Sequence, residues 1–124
     1  MPILALDHVQ LAMPRGREAE ARAFYAGLLG VPEVAKPASL AGRGGCWFER
    51  DAVKLHLGVE EEFRPARKAH PAFLVDDLAS LADALEAAGH PVTPDQAIAG
   101  RERVFVDDPF GNRIELVRAT CGSP

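Results

Sequence analysis

The feature that most constrains this chain is an internal repeat with a period near half its length. Lys54-Leu55-His56-Leu57-Gly58 returns as Arg113-Ile114-Glu115-Leu116-Val117, each a short apolar strand with a metal-capable side chain at its centre. Asp7-His8-Val9-Gln10-Leu11 has its partner in Ala69-His70-Pro71-Ala72-Phe73. The offsets agree: His8 to His70 is 62 residues, His56 to Glu115 is 59, and Gly30 to Gly89 is again 59. Self-similarity at a fixed period implies one structural unit used twice. The 124 residues therefore read as a single domain of two modules, residues 3–60 and 68–118, joined by a charged linker over 60–68.

Each module reads the same way. Residues 3–12 alternate, with Leu6, Val9 and Leu11 interspersed by His8, Gln10 and Ala12, the period of a half-buried strand. Pro14-Arg15-Gly16 breaks it. Ala21, Phe24, Tyr25, Leu28 and Leu29 then fall at helical spacing over Arg17 to Leu29, and Gly30 is a natural stop. Pro32 to Lys36 forms a short strand, Pro37 to Gly45 a flexible connection, and Cys46 to Arg50 and Val53 to Val59 two further strands around the turn Asp51-Ala52. In the second copy His70 to Val75 is a strand, and Asp76-Asp77 can cap a helix over Leu78 to Ala88. Strands follow at Pro91 to Thr93, Arg103 to Asp107 and Arg113 to Val117, with a loop at Pro94 to Gly100 and a frayed tail from Thr120. The expectation is an α+β fold of two βαβββ modules.

Composition narrows the function classes. A hydrophobic content of 48% argues against disorder, and a net charge of −4 without any Lys/Arg run argues against a nucleic-acid partner. Two cysteines, Cys46 and Cys121, are too few for a disulfide scaffold. No apolar run approaches membrane-spanning length and no signal peptide is evident, so a soluble cytoplasmic protein without membrane contact is expected.

The chemistry follows from which way the strands point. If the helix of each module covers the apolar face, His8, Gln10, Lys54 and His56 share the uncovered face of the first module. In the second, Phe73 and Val75 suit the helix, which leaves His70, Ala72, Leu74, Arg113 and Glu115 on the open side. Two such sheets can close into a cup lined by His8, His56, His70 and Glu115. Imidazole nitrogens with a carboxylate suit a divalent first-row metal such as Fe, Mn, Zn or Ni, and open coordination positions would admit substrate or water. The alternative is that these are ordinary polar residues of a half-exposed sheet. Other residues bear on the pocket: Trp47 and Phe48 must face opposite sides, and Gly44-Gly45 either admits a ligand closely or is a plain turn. Arg64, Arg67 and Lys68 could attract an anion but read more simply as a solvated linker, His90 as an exposed turn residue, and Cys46 has no basic partner to make it a nucleophile.

From Leu6 to Val117 the chain resembles the vicinal oxygen chelate superfamily, which includes glyoxalase I, extradiol dioxygenases, fosfomycin-resistance transferases and bleomycin-resistance proteins. The resemblance rests on Asp7-His8-Val9, on Phe24-Tyr25-Ala26-Gly27-Leu28-Leu29-Gly30, and on Asp107-Asp108-Pro109-Phe110-Gly111-Asn112-Arg113-Ile114-Glu115-Leu116. It implies a metal that chelates two substrate oxygens, with ligands from the first and fourth strands of each module, here His8, His56, His70 and Glu115. Glyoxalase I generally has a carboxylate at the position of His56, so the resemblance does not extend to that reaction. Dioxygenases and fosfomycin-type transferases use two histidines and one glutamate, corresponding to His8, His70 and Glu115, with His56 left as acid–base group or fourth ligand.

The sequence thus supports a metal-dependent enzyme acting on a small oxygen-rich molecule, with a non-catalytic drug- or metabolite-binding protein as the alternative. A homodimer is expected, and the nine-residue linker permits modules to pair within one chain or across two, the second being favoured.

Overall fold

In the computed structural model residues 2–95 and 100–120 are described, and the chain divides into two compact units, residues 1–65 and 66–124. Each unit is a four-stranded mixed sheet with helical segments after its first strand. Unit 1 contains β1 (Val9–Met13), α1 (Glu18–Ala21), a π-helical continuation (Arg22–Leu28), β2 (Glu33–Val34), a 3-10 helix (Ala38–Arg43), β3 (Cys46–Arg50) and β4 (Val53–Val59), with sheet order β1-β4-β3-β2. Unit 2 contains β5 (Ala72–Val75), α2 (Leu78–Ala87), β6 (Val92–Pro94), β7 (Arg103–Asp107) and β8 (Arg113–Arg118), in the order β5-β8-β7-β6. In both, the first strand lies parallel to the fourth and the other pairings are antiparallel. These are two βαβββ modules.

The register carries the repeat into three dimensions. Gln10 pairs with His56, and Ala72 with Glu115. His8 and His70 each stand two residues before that pairing partner, so by pleat they share a face with His56 and Glu115 respectively.

The sheets turn apolar residues to one side. In unit 1 Met13, Phe48, Leu55 and Leu57 are fully buried together with Phe24 and Tyr25, the latter ring tilted against Phe48 at 5.5 Å. Unit 2 buries aliphatic residues instead: Leu78 and Leu85 of α2, with Val104, Val106, Ile114 and Leu116 of β7 and β8. Asp77 caps α2 by accepting the Ser80 amide at 3.1 Å.

Three sequence expectations shift. The first strand begins at Val9, not at residue 3, because β4 starts at Val53 and Val9 already pairs with Leu55. Residues before Asp7 therefore have no ladder partner, and Ile3, Leu4 and Leu6 are exposed. The first helix widens from α to π geometry at Arg22, closing with the Leu29 amide on the Phe24 carbonyl. Phe24 and Tyr25 are consecutive and both buried, and a wider turn brings neighbouring side chains nearer to one face. The Pro37–Gly45 connection contains a 3-10 helix. Of the loop expected at Pro94 to Gly100, residues 96–99 lie outside the described residues, as do Cys121 and the rest of the tail.

The Asp108–Asn112 turn is a buried polar network. The Asp108 carboxylate accepts the amides of Phe110 and Asn112 and the Asn112 side chain, while Asn112 Oδ1 accepts the Ala66 amide at 2.9 Å. The Arg113 amide returns to the Ala66 carbonyl. The turn thereby fixes both the start of β8 and the approach to His70.

Candidate metal-binding and catalytic groups

On the open face of unit 1 the central group is His56, whose pairing partners Gln10 and Trp47 flank it on β1 and β3. Its ring lies between two others: Trp47 at 3.8 Å with an interplanar angle of 1°, and His8 at 4.6 Å and 21°. Its Nε2 hydrogen bonds to the Glu49 carboxylate at 2.7 Å. His56 is only 5% exposed. His8, more exposed, has its Nδ1 2.8 Å from Asp7 Oδ1. An imidazole whose Nε2–H is held by a carboxylate presents its other nitrogen with a defined orientation, as suits either a ligand or a general base.

Unit 2 builds its open face from charges. His70 sits before β5, which starts only at Ala72; Pro71 has no amide to give, and its carbonyl accepts the Glu115 N–H. The His70 Nδ1 faces the Lys68 carbonyl and its Nε2 faces Glu115 Oε1, both at 2.9 Å. Arg103 donates to Glu115 Oε2 at 3.0 Å and to Asp95 at 2.9 Å. Burial pushes the Glu115 carboxyl up, but the hydrogen bonds and charges of His70 and Arg103 outweigh it and hold the group below its ordinary range. Phe105 completes the face, edge-on to His70 at 5.5 Å and flanked by Arg103 and Arg113.

The structure therefore brings His8 to His56 and His70 to Glu115. Among the described residues, no three His, Cys, Asp or Glu side chains form one cluster able to hold a metal ion. The His70–Glu115 pair nevertheless has the chemistry of a metal half-set. Both ring nitrogens face acceptors, so a proton or a cation must lie between Nε2 and the carboxylate. A metal ion shared by the two would take the place of that proton, and a backbone carbonyl on the distal nitrogen is the usual support of a metal-bound imidazole. Two ligands about 2.1 Å from an ion and at right angles to each other stand about 3.0 Å apart, close to the observed 2.9 Å.

Sequence reasoning missed Glu49 and Arg103. Both were accessible from period-2 alternation: Glu49 shares the face of Trp47, and Arg103 that of Phe105. Of the weaker candidates, Arg67 is bound to Asp107 and the Gly111 carbonyl, both at 2.7 Å. His90 is half-buried, not exposed. Burial raises the Cys46 thiol to about 11, which disfavours the thiolate a nucleophile needs.

Two folded units of this topology, with a histidine before the first-strand pairing in each and a ligand-type residue at the centre of each fourth strand, define a class. Residues 5–116 match the Glyoxalase/Bleomycin resistance protein/Dioxygenase superfamily, and the chain belongs to it. A glyoxalase family protein from Bacillus anthracis is 46% identical, with 95% of this chain and 97% of that one covered and a TM-score of 0.90. A glyoxalase/dioxygenase from Nostoc punctiforme is 22% identical over 97% and 98% of the two chains, with a TM-score of 0.75. The fosfomycin resistance protein FosX from Listeria monocytogenes is 15% identical over 95% of each chain, at a TM-score of 0.76. The last two likenesses concern the fold alone. Among curated proteins none matches the chain.

Proposed function

We propose that this protein is a metal-dependent enzyme acting on a small oxygen-rich molecule, with His8, His70 and Glu115 as metal ligands and His56 as fourth ligand or general base. The observation that carries this reading is the His70 ring, whose two nitrogens both face acceptors. When bound, a divalent ion supplies Lewis-acid stabilisation of a developing oxyanion on the chelated substrate. The remaining steps belong to the chain. Lys68 fixes the His70 tautomer, Arg103 holds the Glu115 carboxylate ionised and oriented, and Glu49 holds His56 through Nε2. Trp47 and His8 keep that ring in one plane and shield it from water. His56 is then placed to take a proton from the substrate through its other nitrogen. Membership in the superfamily and the fold shared with FosX support this reading.

The protein is further proposed to act in the cytoplasm as a homodimer. No helix among the described residues is long and apolar enough to cross a membrane, and exposed Ile3, Leu4, Leu6 and Leu74 give apolar surface suited to a second subunit.

The test is metal analysis of protein purified without added metal. About one divalent ion per chain is expected, with tight binding abolished in His8→Ala and Glu115→Ala. Retention of wild-type stoichiometry in both variants would refute the assignment.

A further inference from the structure

Beside His56 on the open face of unit 1 lies a cavity of about 250 Å³. Gln10 and Trp47, the two cross-strand neighbours of His56, form one wall, and Lys36, Arg43 and Gly44 form another. Its lining contains two cations and no carboxylate. Lys36 donates to the Gly44 carbonyl, which ties the two ends of the 3-10 segment together and leaves two ammonium protons without a hydrogen-bond partner among the described residues. Arg43, at the end of that segment, has no ion-pair or hydrogen-bond partner among the described residues, and neither has the Gln10 side chain.

The loop that carries these cations is held in place. Gly44 and Gly45 both have positive φ, 78° and 81°, and a Cβ on Gly45 would lie 2.1 Å from the Leu57 carbonyl oxygen. The backbone here lies directly against β4, where any side chain would force it away. Glu18 accepts the Gly45 amide at 2.8 Å and lies outside the cavity lining, although the Lys36 charge acts on it. A cavity of about 310 Å³ in unit 2 makes the contrast: its Arg67 is neutralised by Asp107, which also lines it, and its Arg113 lies over Phe105. Of these two cavities, the one in unit 1 has cations and no carboxylate in its lining.

We propose that this cavity is a substrate subsite for an anionic oxygen group, a carboxylate or phosphonate, which Arg43 and Lys36 bind while Gln10 donates its amide and the organic part rests on Trp47. The inference deepens the proposed function, on which it rests for the reaction, by assigning the substrate class: a small organic anion whose charged end is anchored next to His56. A guanidinium matches two anionic oxygens at once, and a flat indole face takes apolar or planar groups. At about 30 Å³ per water the cavity displaces roughly eight waters, the size of a charged headgroup with a short carbon chain.

Trp47 is the chain's single tryptophan, so its fluorescence reports on this cavity and on the His56 ring stacked against it, which the metal-free Glu115→Ala measurement below separates. The metal-loaded protein is titrated with methylphosphonate and, separately, with propionate, against sodium chloride at equal ionic strength. A saturable change with either anion is expected, the better of the two telling which headgroup the site prefers. Arg43→Gln should weaken it at least about ten-fold, as loss of a charge-assisted hydrogen bond does. Lys36→Met combined with Arg43→Gln should remove it, and Arg113→Gln should leave it unchanged. Arg43 is exposed and unpaired, so its variant keeps the fold, which circular dichroism verifies. No saturable change, or equal binding by Arg43→Gln, overturns the subsite even when metal is retained. Saturable binding that survives in metal-free Glu115→Ala supports the subsite whatever becomes of the metal assignment.

Discussion

The open faces of the two units share a register and almost nothing else. Trp47 stands opposite His56 as Phe105 stands opposite Glu115, and the preceding histidines are matched as well. Around that common frame, unit 1 positions its central group by stacking with a single carboxylate contact, and unit 2 by a network of ion pairs. Backbone pairing is set by the ladder and by apolar side chains on the opposite face, so it survives while the polar face diverges. A duplicated fold therefore supplies matched positions, and the chemistry at each is set locally by its neighbours.

If unit 2 depends on charge, removing the shared acceptor should cost it most. Glu115→Ala leaves Arg103, with its side chain 16% exposed, short of one partner, and its Nε already has none among the described residues. In metal-free protein we expect a loss of about 3 kcal/mol in urea denaturation, as for a broken buried pair. Glu49→Ala in unit 1 should lose only about 1 kcal/mol, because the His56 ring keeps both stacking partners. Equal losses would erase the distinction between the units.

The aromatic partners should show the reverse order. Trp47→Leu removes a parallel stack on His56 and should cost about 1 kcal/mol beyond the area lost, with displaced imidazole resonances for both His56 and His8. Phe105→Leu touches His70 only edge-on, while Lys68 and Glu115 still hold both of its nitrogens. Its imidazole resonances should barely move. A large shift for His70 with a small one for His56 would invert the account.

How much of this was legible beforehand follows the same division. Strands Cys46–Arg50, Val53–Val59 and Arg103–Asp107 match the sequence expectation residue for residue, because alternation and turn chemistry are local signals. The sidedness that put His56 and Glu115 on the open faces was legible for the same reason. The start of β1 was not, since a strand ends where its partner ends, and that partner lies more than forty residues away. Nor was the π-helical widening, which answers to how Phe24 and Tyr25 fit the sheet. In sequence Asp108–Asn112 stands out only as part of the family motif. Its fully buried Asn112 and the amide of Ala66 make it instead the anchor for the segment leading to His70.

The smallest expected effect concerns Glu18, the carboxylate that holds the Gly45 amide next to the cavity-lining Gly44. Glu18 accepts the Gly45 amide, and that hydrogen bond, opposed by burial, holds its carboxyl below the ordinary range. A depressed folded-state value adds stability above the unfolded carboxyl value of about 4.3, and that contribution disappears as pH falls through the folded value. Glu18→Gln keeps an oxygen for the Gly45 amide but cannot titrate. The wild type should therefore lose its small excess stability over the variant as pH drops below about 4, the two curves converging in acid and separating by less than about 1 kcal/mol at neutrality. Since Gly45 cannot move off the Leu57 carbonyl without breaking its seat on β4, the loop should hold Lys36 and Arg43 in place in both forms. Anion titration at neutral pH checks this: equal affinity in the Gln variant shows that Glu18 contributes stability without shaping the subsite. A pH-independent gap between the two stability curves would show that the amide contact, not the charge, is what the loop depends on.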